Sequence, residues 1–121
     1  MSKVLVVEDN DLNMKLFHDL LSIKHYDVIA SRDGKGVLDI AKAQKPDLIL
    51  MDIQLKELHG ADLIAELKND KETLHIPIIA ITAFAMKQDE TRIMQSGCDM
   101  YLPKPVSIGC FFEAVEHYIG K

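Results

Sequence analysis

Five polar side chains follow short apolar runs of this sequence, each at the point where a run ends. Glu8 and Asp9 follow the first run, Asp52 closes "LILMD", Thr82 closes "IIAIT", and Lys104 follows "MYLP". Three converging carboxylates would repel one another, because two unit charges 4 Å apart interact by about 4 kcal/mol at an effective dielectric constant of 20. A hard cation among them would remove that repulsion. A small oxygen-ligand site with few protein ligands favours Mg²⁺ over Ca²⁺. Zinc is disfavoured because the sequence has no cluster of His and Cys at ligand spacing.

The same five groups have the composition of a phosphoryl-transfer site. A carboxylate can act as a nucleophile and form an acyl phosphate. A metal ion and a lysine neutralise charge on the transferred group, and a threonine hydroxyl can donate a hydrogen bond to it. Asp52 is the central candidate for the nucleophile, since it follows the middle run alone. Taken singly, each residue has a simpler explanation, such as a helix cap, a solvated turn or a surface lysine, and only their joint placement favours chemistry.

The elements that must position these groups alternate along the chain. β-branched-rich runs at 4–7, 28–30, 48–51, 78–81 and 100–102 predict strands, and the segments between and after them have helical spacing. In the first predicted helix, Leu12, Leu16, Phe17, Leu20 and Leu21 form the expected buried face, and in the last, Ile108, Phe111, Phe112, Val115 and Ile119 do so. This (βα)5 pattern predicts a doubly wound α/β domain with a five-stranded parallel sheet, whose ligands bind at the carboxyl ends of the strands.

Length and composition limit the alternatives. The 121 residues, 48% hydrophobic and 27% charged, predict one globular domain over 1–121 with no output domain. A net charge of −5 without a basic run disfavours nucleic acid and anionic membranes as partners. No apolar stretch predicts a signal peptide or a membrane span, which favours a cytoplasmic protein. Cys98 and Cys110 are expected to be reduced, buried hydrophobic residues.

The motifs "VVEDN", "PDLILMDIQL", "IIAITA" and "YLPKP", in this order, resemble the receiver domain of bacterial two-component response regulators over the whole chain. The resemblance implies a CheY-like, flavodoxin-like sheet of order 2-1-3-4-5. It also implies a switch rather than an enzyme: Asp52 would accept a phosphoryl group from a histidine kinase. Mg²⁺, or Mn²⁺ in its place, would be held by Asp9, Asp52, the backbone carbonyl of Gln54 and, through water, Glu8.

The resemblance also assigns roles around the acceptor. Thr82 corresponds to the switch hydroxyl, Tyr101 to the aromatic residue that turns inward with it, and Lys104 to the lysine that pairs with the phosphoryl group. Ala83 is the small residue beside the switch, and Pro105 marks a position where the family often has a cis peptide bond.

Two further positions are singled out by comparison with the family. Phe84 occupies a position that influences water access to the acyl phosphate, and its bulk is predicted to slow self-dephosphorylation. Lys56 departs from the family pattern, because receivers commonly carry proline there, so the shape of that loop is not predicted.

Outside the motifs, "EDNDLNMKLFHDLL" and "HIPIIAITAFAMKQDE" are similar to stand-alone receivers of bacterial cell-cycle phosphorelays. That resemblance implies sensor kinases, phosphatases and downstream signalling proteins as partners, binding through the fourth helix, the fifth strand and the fifth helix. It also implies a monomer or a weak phosphorylation-dependent dimer. One version of this interpretation has the kinases place the protein at a cell pole. A phosphorelay intermediate or a motility regulator remains the alternative.

Two other classes are compatible with the fold. Phosphohydrolases with an aspartyl nucleophile use a second aspartate two residues later, where this chain has Gln54, which cannot transfer a proton at neutral pH. A flavodoxin-type flavin carrier needs a phosphate cradle rich in hydroxyls and amides after the first strand, where this chain has Glu8 and Asp9.

Overall fold

A computed structural model describes residues 2–53, 60–82, 91, 93–104 and 106–120. Within these ranges the chain forms five strands and four helices, and residues 91 and 93–95, in the predicted fourth helix, are also helical. The elements are β1 (Lys3–Val7), α1 (Asp11–Ile23), β2 (Asp27–Ser31), α2 (Val37–Gln44), β3 (Leu48–Asp52), α3 (Gly60–Lys68), β4 (Ile78–Thr82), β5 (Met100–Pro103) and α4 (Ile108–Ile119). The five predicted strands are confirmed.

The sheet is parallel, with the order β2-β1-β3-β4-β5 that the family resemblance implies. Its register aligns the ends of the strands: Asp52 pairs with Ile81, and Thr82 pairs with Pro103. The carboxyl ends of β1, β3, β4 and β5 therefore open onto one edge of the sheet.

Every residue of β3 and β4 is buried, as a sheet covered on both faces requires. Alternate residues point into two separate cores. One core contains Leu5, Val7, Ile49, Met51, Ile78 and Ala80, and packs against α2 and α3. The other contains Val4, Val6, Leu48, Leu50, Ile79 and Ile81, and packs against α1 and α4.

Helices α1 and α4 begin at side-chain caps and pack against each other through aromatic rings. The side chain of Asn10 accepts a hydrogen bond from the Asn13 amide, and that of Ser107 accepts one from the Cys110 amide. The rings of Phe17 and Phe111 stack with their centroids 5.3 Å apart. These contacts fix α1 beside the end of β1 that carries the acids.

The predicted buried face of α1 is partly wrong. Phe17, Leu20 and Leu21 are buried together with Met14, but Leu12 is 79% exposed and Leu16 is also exposed. At about 100° per residue, Leu12 and Leu16 lie roughly 100° or more around the helix from Phe17, outside its contact with the sheet.

The first turn of α4 differs from expectation in the same way. Ile108 is exposed although Phe111 and Val115 are buried, and Cys110 is exposed whereas Cys98 is buried. At about 100° per residue, Cys110 lies about 100° around the helix from the buried Phe111, on a face turned away from the core. In the part of the chain that the structure describes, no helix has the length and apolarity needed to span a membrane.

The half-buried Lys68 connects several elements at the edge of the sheet opposite the acids. The Lys68 ammonium donates to the carbonyl oxygens of Leu74 and Ile76 and to the carboxylate of Asp99. The same Asp99 oxygen accepts a hydrogen bond of 2.8 Å from the Ile78 amide. The starts of β4 and β5 are thus joined to the end of α3.

Candidate functional site

Three acids converge at the carboxyl edge of the sheet. Glu8 and Asp9 lie in the loop that joins β1 to α1, and Asp52 is the last residue of β3. One carboxylate oxygen from each lies within 4.8 Å of the others. Glu8 is 1% exposed and Asp52 is 2% exposed, so two of the three carboxylates are withdrawn from water. The sequence prediction that these groups meet at one edge agrees with this geometry.

Lys104 supplies positive charge to the cluster. Its ammonium lies 3.2 Å from Oε1 of Glu8 and 3.2 Å from Oδ2 of Asp52. The amide of Lys104 donates a hydrogen bond of 2.7 Å to the carbonyl oxygen of Thr82, which ties the residue after β5 to the end of β4. The backbone thus aims this side chain across the site.

Burial and neighbouring charges shift the pKa values of Glu8 and Lys104. Burial of Glu8, followed by the hydrogen bond and charge of Asp52, raises the pKa of its carboxyl from 4.5 to about 7 despite the opposing charge of Lys104. Burial alone would lower the pKa of Lys104, but the charges of Asp52 and Glu8 outweigh it and raise that pKa. The lysine therefore stays charged at neutral pH, while Glu8 is close to its titration point.

The acid cluster fits a hard divalent cation. Oε2 of Glu8 is buried and accepts no hydrogen bond from the described residues, so an acceptor is left over at the centre of the site. Two ligands on opposite sides of Mg²⁺ are about 4.2 Å apart, twice a metal–oxygen bond. The observed limit of 4.8 Å between carboxylate oxygens is close to that span. Three carboxylates with no nitrogen or sulfur ligand among them match Mg²⁺.

The two predicted switch residues lie near this edge. Thr82 is fully buried at the end of β4. Tyr101, in β5, is half-buried and packs against the core that faces α2 and α3. The remaining predicted positions, Gln54, Lys56, Ala83, Phe84 and Pro105, lie outside the described residues.

Sequence reasoning gave no role to Gly60, which contacts the end of β3. Its amide donates to the carbonyl oxygen of Ile53. A Cβ at this position would overlap the carbonyl oxygen of Asp52 and lie 2.7 Å from Cα of Ile53. Only glycine lets the start of α3 approach the end of β3 so closely. The sequence feature that could have identified this role is a glycine at the start of a predicted helix, where no turn requires one.

The arrangement of five parallel strands with an acid cluster and a lysine at one edge defines a class of protein. The family described as "Response regulator receiver domain" matches residues 4–116, and the chain belongs to this family. Among individual relatives, the "Polar-differentiation response regulator DivK" of Brucella anthropi is 53% identical over 117 residues, covering 97% of this chain and 95% of that protein. The protein of the same name from Brucella ovis has the same identity and coverage.

Solved structures agree with this assignment. The receiver domain of sensor histidine kinase PA1611 from Pseudomonas aeruginosa has a TM-score of 0.90 and 32% identity, covering 99% of this chain and 98% of that one. That crystal structure has a magnesium ion coordinated in its active site cleft. The receiver domain of Francisella response regulator 1452 has a TM-score of 0.88 and 26% identity, covering 98% and 96% of the two chains. The predicted fold and family are therefore confirmed.

Proposed function

We propose that this receiver is a phosphorylation switch in which Asp52 accepts a phosphoryl group from a histidine kinase. The observation that carries the proposal is the convergence of Glu8, Asp9 and Lys104 on Asp52 at the carboxyl edge of the sheet. Asp52 is the last residue of the central strand β3, which lies between β1 and β4, and Asp52 itself pairs with Ile81 of β4. A nucleophile held in this way needs no reorganisation when a donor arrives.

Each residue has a separate part in the transfer. One oxygen of Asp52 attacks phosphorus, the phosphorus–nitrogen bond to the donor histidine breaks, and an acyl phosphate forms. Lys104 stabilises the negative charge on the phosphoryl oxygens. Glu8, Asp9, Asp52 and the backbone carbonyl of Gln54 would hold Mg²⁺, with Glu8 acting through water. When bound, the metal neutralises charge on the transferred group.

The acyl phosphate would then act on the neighbouring strands. It adds up to about two negative charges beside Lys104, which is tied by its amide to Thr82. The Thr82 hydroxyl moves onto the phosphoryl group, and Tyr101 turns inward behind it. The segment after β4, together with β5 and α4, changes shape and binds downstream signalling proteins. Alternatively, the phosphorylated form associates into a weak dimer.

The kinase donor would dock on a different face from the one predicted for it from the sequence, beside the exposed residues of α1. A groove of about 310 Å³ lies between α1 and the residues that lead into α4, and it is lined by Asn13, Leu16, Phe17, Lys104 and Val106. Leu12 lies one turn away from Leu16 and is exposed. Because Lys104 both lines the groove and contacts Asp52, a kinase seated here brings its phosphohistidine toward the acceptor.

The likeness to the Brucella proteins supports a cellular role. Those relatives are named polar-differentiation response regulators, and this chain matches them over nearly its whole length. We extend that role to this protein as a stand-alone, cytoplasmic receiver in cell-cycle control, placed at a cell pole through its kinases. A motility regulator or a phosphorelay intermediate would instead transfer its signal to a motor or to a second histidine protein.

Intact mass after incubation with Mg²⁺ and acetyl phosphate tests the chemistry. Wild type is expected to gain one phosphoryl group, and Asp52→Asn to gain none. Asp39→Asn, which alters an exposed aspartate of α2, is the matched control and should behave as wild type. Equal gain in wild type and Asp52→Asn, or no gain in either, would contradict the proposal. Continuous release of phosphate from a small substrate would favour the hydrolase class.

A further inference from the structure

Arg32 and Asp11 form an ion pair at the mouth of the acid cluster. Arg32 directly follows β2, and its Nη1 contacts Oδ1 of Asp11 at the start of α1. The amide of Glu8 donates to the carbonyl oxygen of Ser31, so Arg32 lies level with Glu8. The ion pair therefore spans the loop that carries Glu8 and Asp9, on the side of that loop away from Lys104.

This ion pair can change partners at small cost. The Arg32 side chain is 64% exposed and that of Asp11 is 79% exposed. Exposed pairs of this kind typically contribute about 0–1 kcal/mol. A guanidinium group binds phosphate oxygens in a bidentate geometry, which a single carboxylate contact does not saturate. An incoming phosphoryl anion is thus a competitive alternative to Asp11 for Arg32.

The position of Arg32 suits a donor that is still approaching. Neighbouring strands are about 4.8 Å apart, so Arg32 lies about two strand spacings from Asp52, within reach of a donor that is not yet bonded. The chain carries a net charge of −5 and three acids at this edge, which disfavours anionic donors before they meet Lys104.

We infer that Arg32 is a donor-binding residue. It pairs with Asp11 in the absence of donor and exchanges Asp11 for the phosphoryl oxygens of the incoming phosphodonor. The inference rests on the proposed function, because it assumes that Asp52 is phosphorylated. It assigns to Arg32 the capture of the donor and leaves the bond-forming step to Asp52 and Lys104.

A structural role for the ion pair predicts a different pattern. If the pair only held the loop in shape, Arg32→Gln and Asp11→Asn would change the rate in the same direction, because either variant breaks it. If Arg32 captures the donor, Arg32→Gln slows phosphorylation whereas Asp11→Asn releases Arg32 and accelerates it. The double variant separates the released arginine from the simple loss of a negative charge.

The test is the rate of phosphorylation by sub-saturating acetyl phosphate in Mg²⁺, followed by intact mass. We expect Arg32→Gln to be about fivefold slower and Asp11→Asn to be faster than wild type, with both effects reduced at high ionic strength. In the Arg32→Gln background, Asp11→Asn should lose most of its gain. The rate at saturating donor should stay within about twofold of wild type for all three variants.

The control is Lys15→Gln, which breaks a similarly exposed ion pair with Asp19 one turn further along α1. It should leave the rate unchanged. Equal slowing by Arg32→Gln and Asp11→Asn, an unchanged rate in Arg32→Gln, or an undiminished gain in the double variant would overturn the inference. If the wild type itself gained no phosphate, the proposed function would have failed instead.

Discussion

The Lys104 ammonium lies 3.2 Å from the carboxylate of Asp52, although fifty-two residues separate them in the chain. Lys104 and a bound metal ion would compete for the same carboxylate oxygens, because Lys104 also lies 3.2 Å from Glu8. The lysine therefore serves as the counter-charge of the metal-free site. Once a cation binds, the lysine is available for other anions.

Replacement of Lys104 by methionine should tighten Mg²⁺ binding by about tenfold, or 1.4 kcal/mol, because the competing charge is lost. Isothermal titration calorimetry measures this affinity. Lys104→Arg keeps the charge and is expected to bind Mg²⁺ as wild type does. Weaker binding in Lys104→Met would mean that the lysine organises the site rather than competing for it. The same variant should accept phosphate more slowly.

The raised pKa of Glu8 makes the stability of the metal-free protein depend on pH. A carboxyl whose pKa is raised on folding stabilises the folded state most below its unfolded pKa, and that stability is lost as pH rises through the folded value. The contribution of Glu8 should therefore fall between about pH 4.5 and pH 7, by up to about 3 kcal/mol. Urea unfolding with EDTA, in wild type and in Glu8→Gln, measures it.

The difference between those two proteins isolates Glu8 from other titrating groups. Asp70, for example, has its pKa lowered by a hydrogen bond from Lys42, so its contribution changes with the opposite sign. The difference in unfolding free energy, wild type minus Glu8→Gln, should decline as pH rises and recover in Mg²⁺. A difference that stays constant with pH would show that Glu8 titrates normally.

Gly60→Ala should be strongly destabilising and should also impair phosphorylation. The added methyl group would overlap the backbone of Asp52 and Ile53, so either α3 or the end of β3 must shift. We expect a loss of more than about 2 kcal/mol in unfolding free energy. Gly109→Ala, in a helix position with open space around it, is the matched control and should be neutral or stabilising by up to about 1 kcal/mol. Similar behaviour of the two variants would contradict the close approach.

Leu12→Gln should separate docking of the donor from chemistry. The Leu12 side chain is exposed, so a polar residue of similar size should not impair folding, and it leaves the charge beside Asp11 and Arg32 unchanged. Transfer from a phosphorylated histidine kinase should slow by about tenfold, whereas acetyl phosphate should react as with wild type. Leu74→Gln, at an exposed leucine outside the groove, is the control. Equal slowing with both donors would place the defect in the site itself.

Residues that follow strands were predictable from the sequence. Asp52 and Thr82 were placed correctly because the apolar runs before them had strand-like composition and because parallel strands must end at a common edge. Contacts across the chain were not predictable in this way. The pair between Lys104 and Glu8 depends on where the backbone after β5 turns, and the exposure of Leu12 depends on how α1 is rotated on the sheet. Neither quantity is encoded in local spacing.

The two cores on opposite faces of the sheet determine which substitutions affect one another. Leu50 and Met51 are consecutive in sequence but contribute to different cores, whereas Leu50 shares its core with Phe111, which is far away in sequence. Substitutions of two side chains in the same core should thus couple even when the residues are distant in sequence, whereas Leu50 and Met51 lie in different cores and should couple less. During evolution, the helices on one face of the sheet can consequently change to suit a partner while the packing on the other face stays the same.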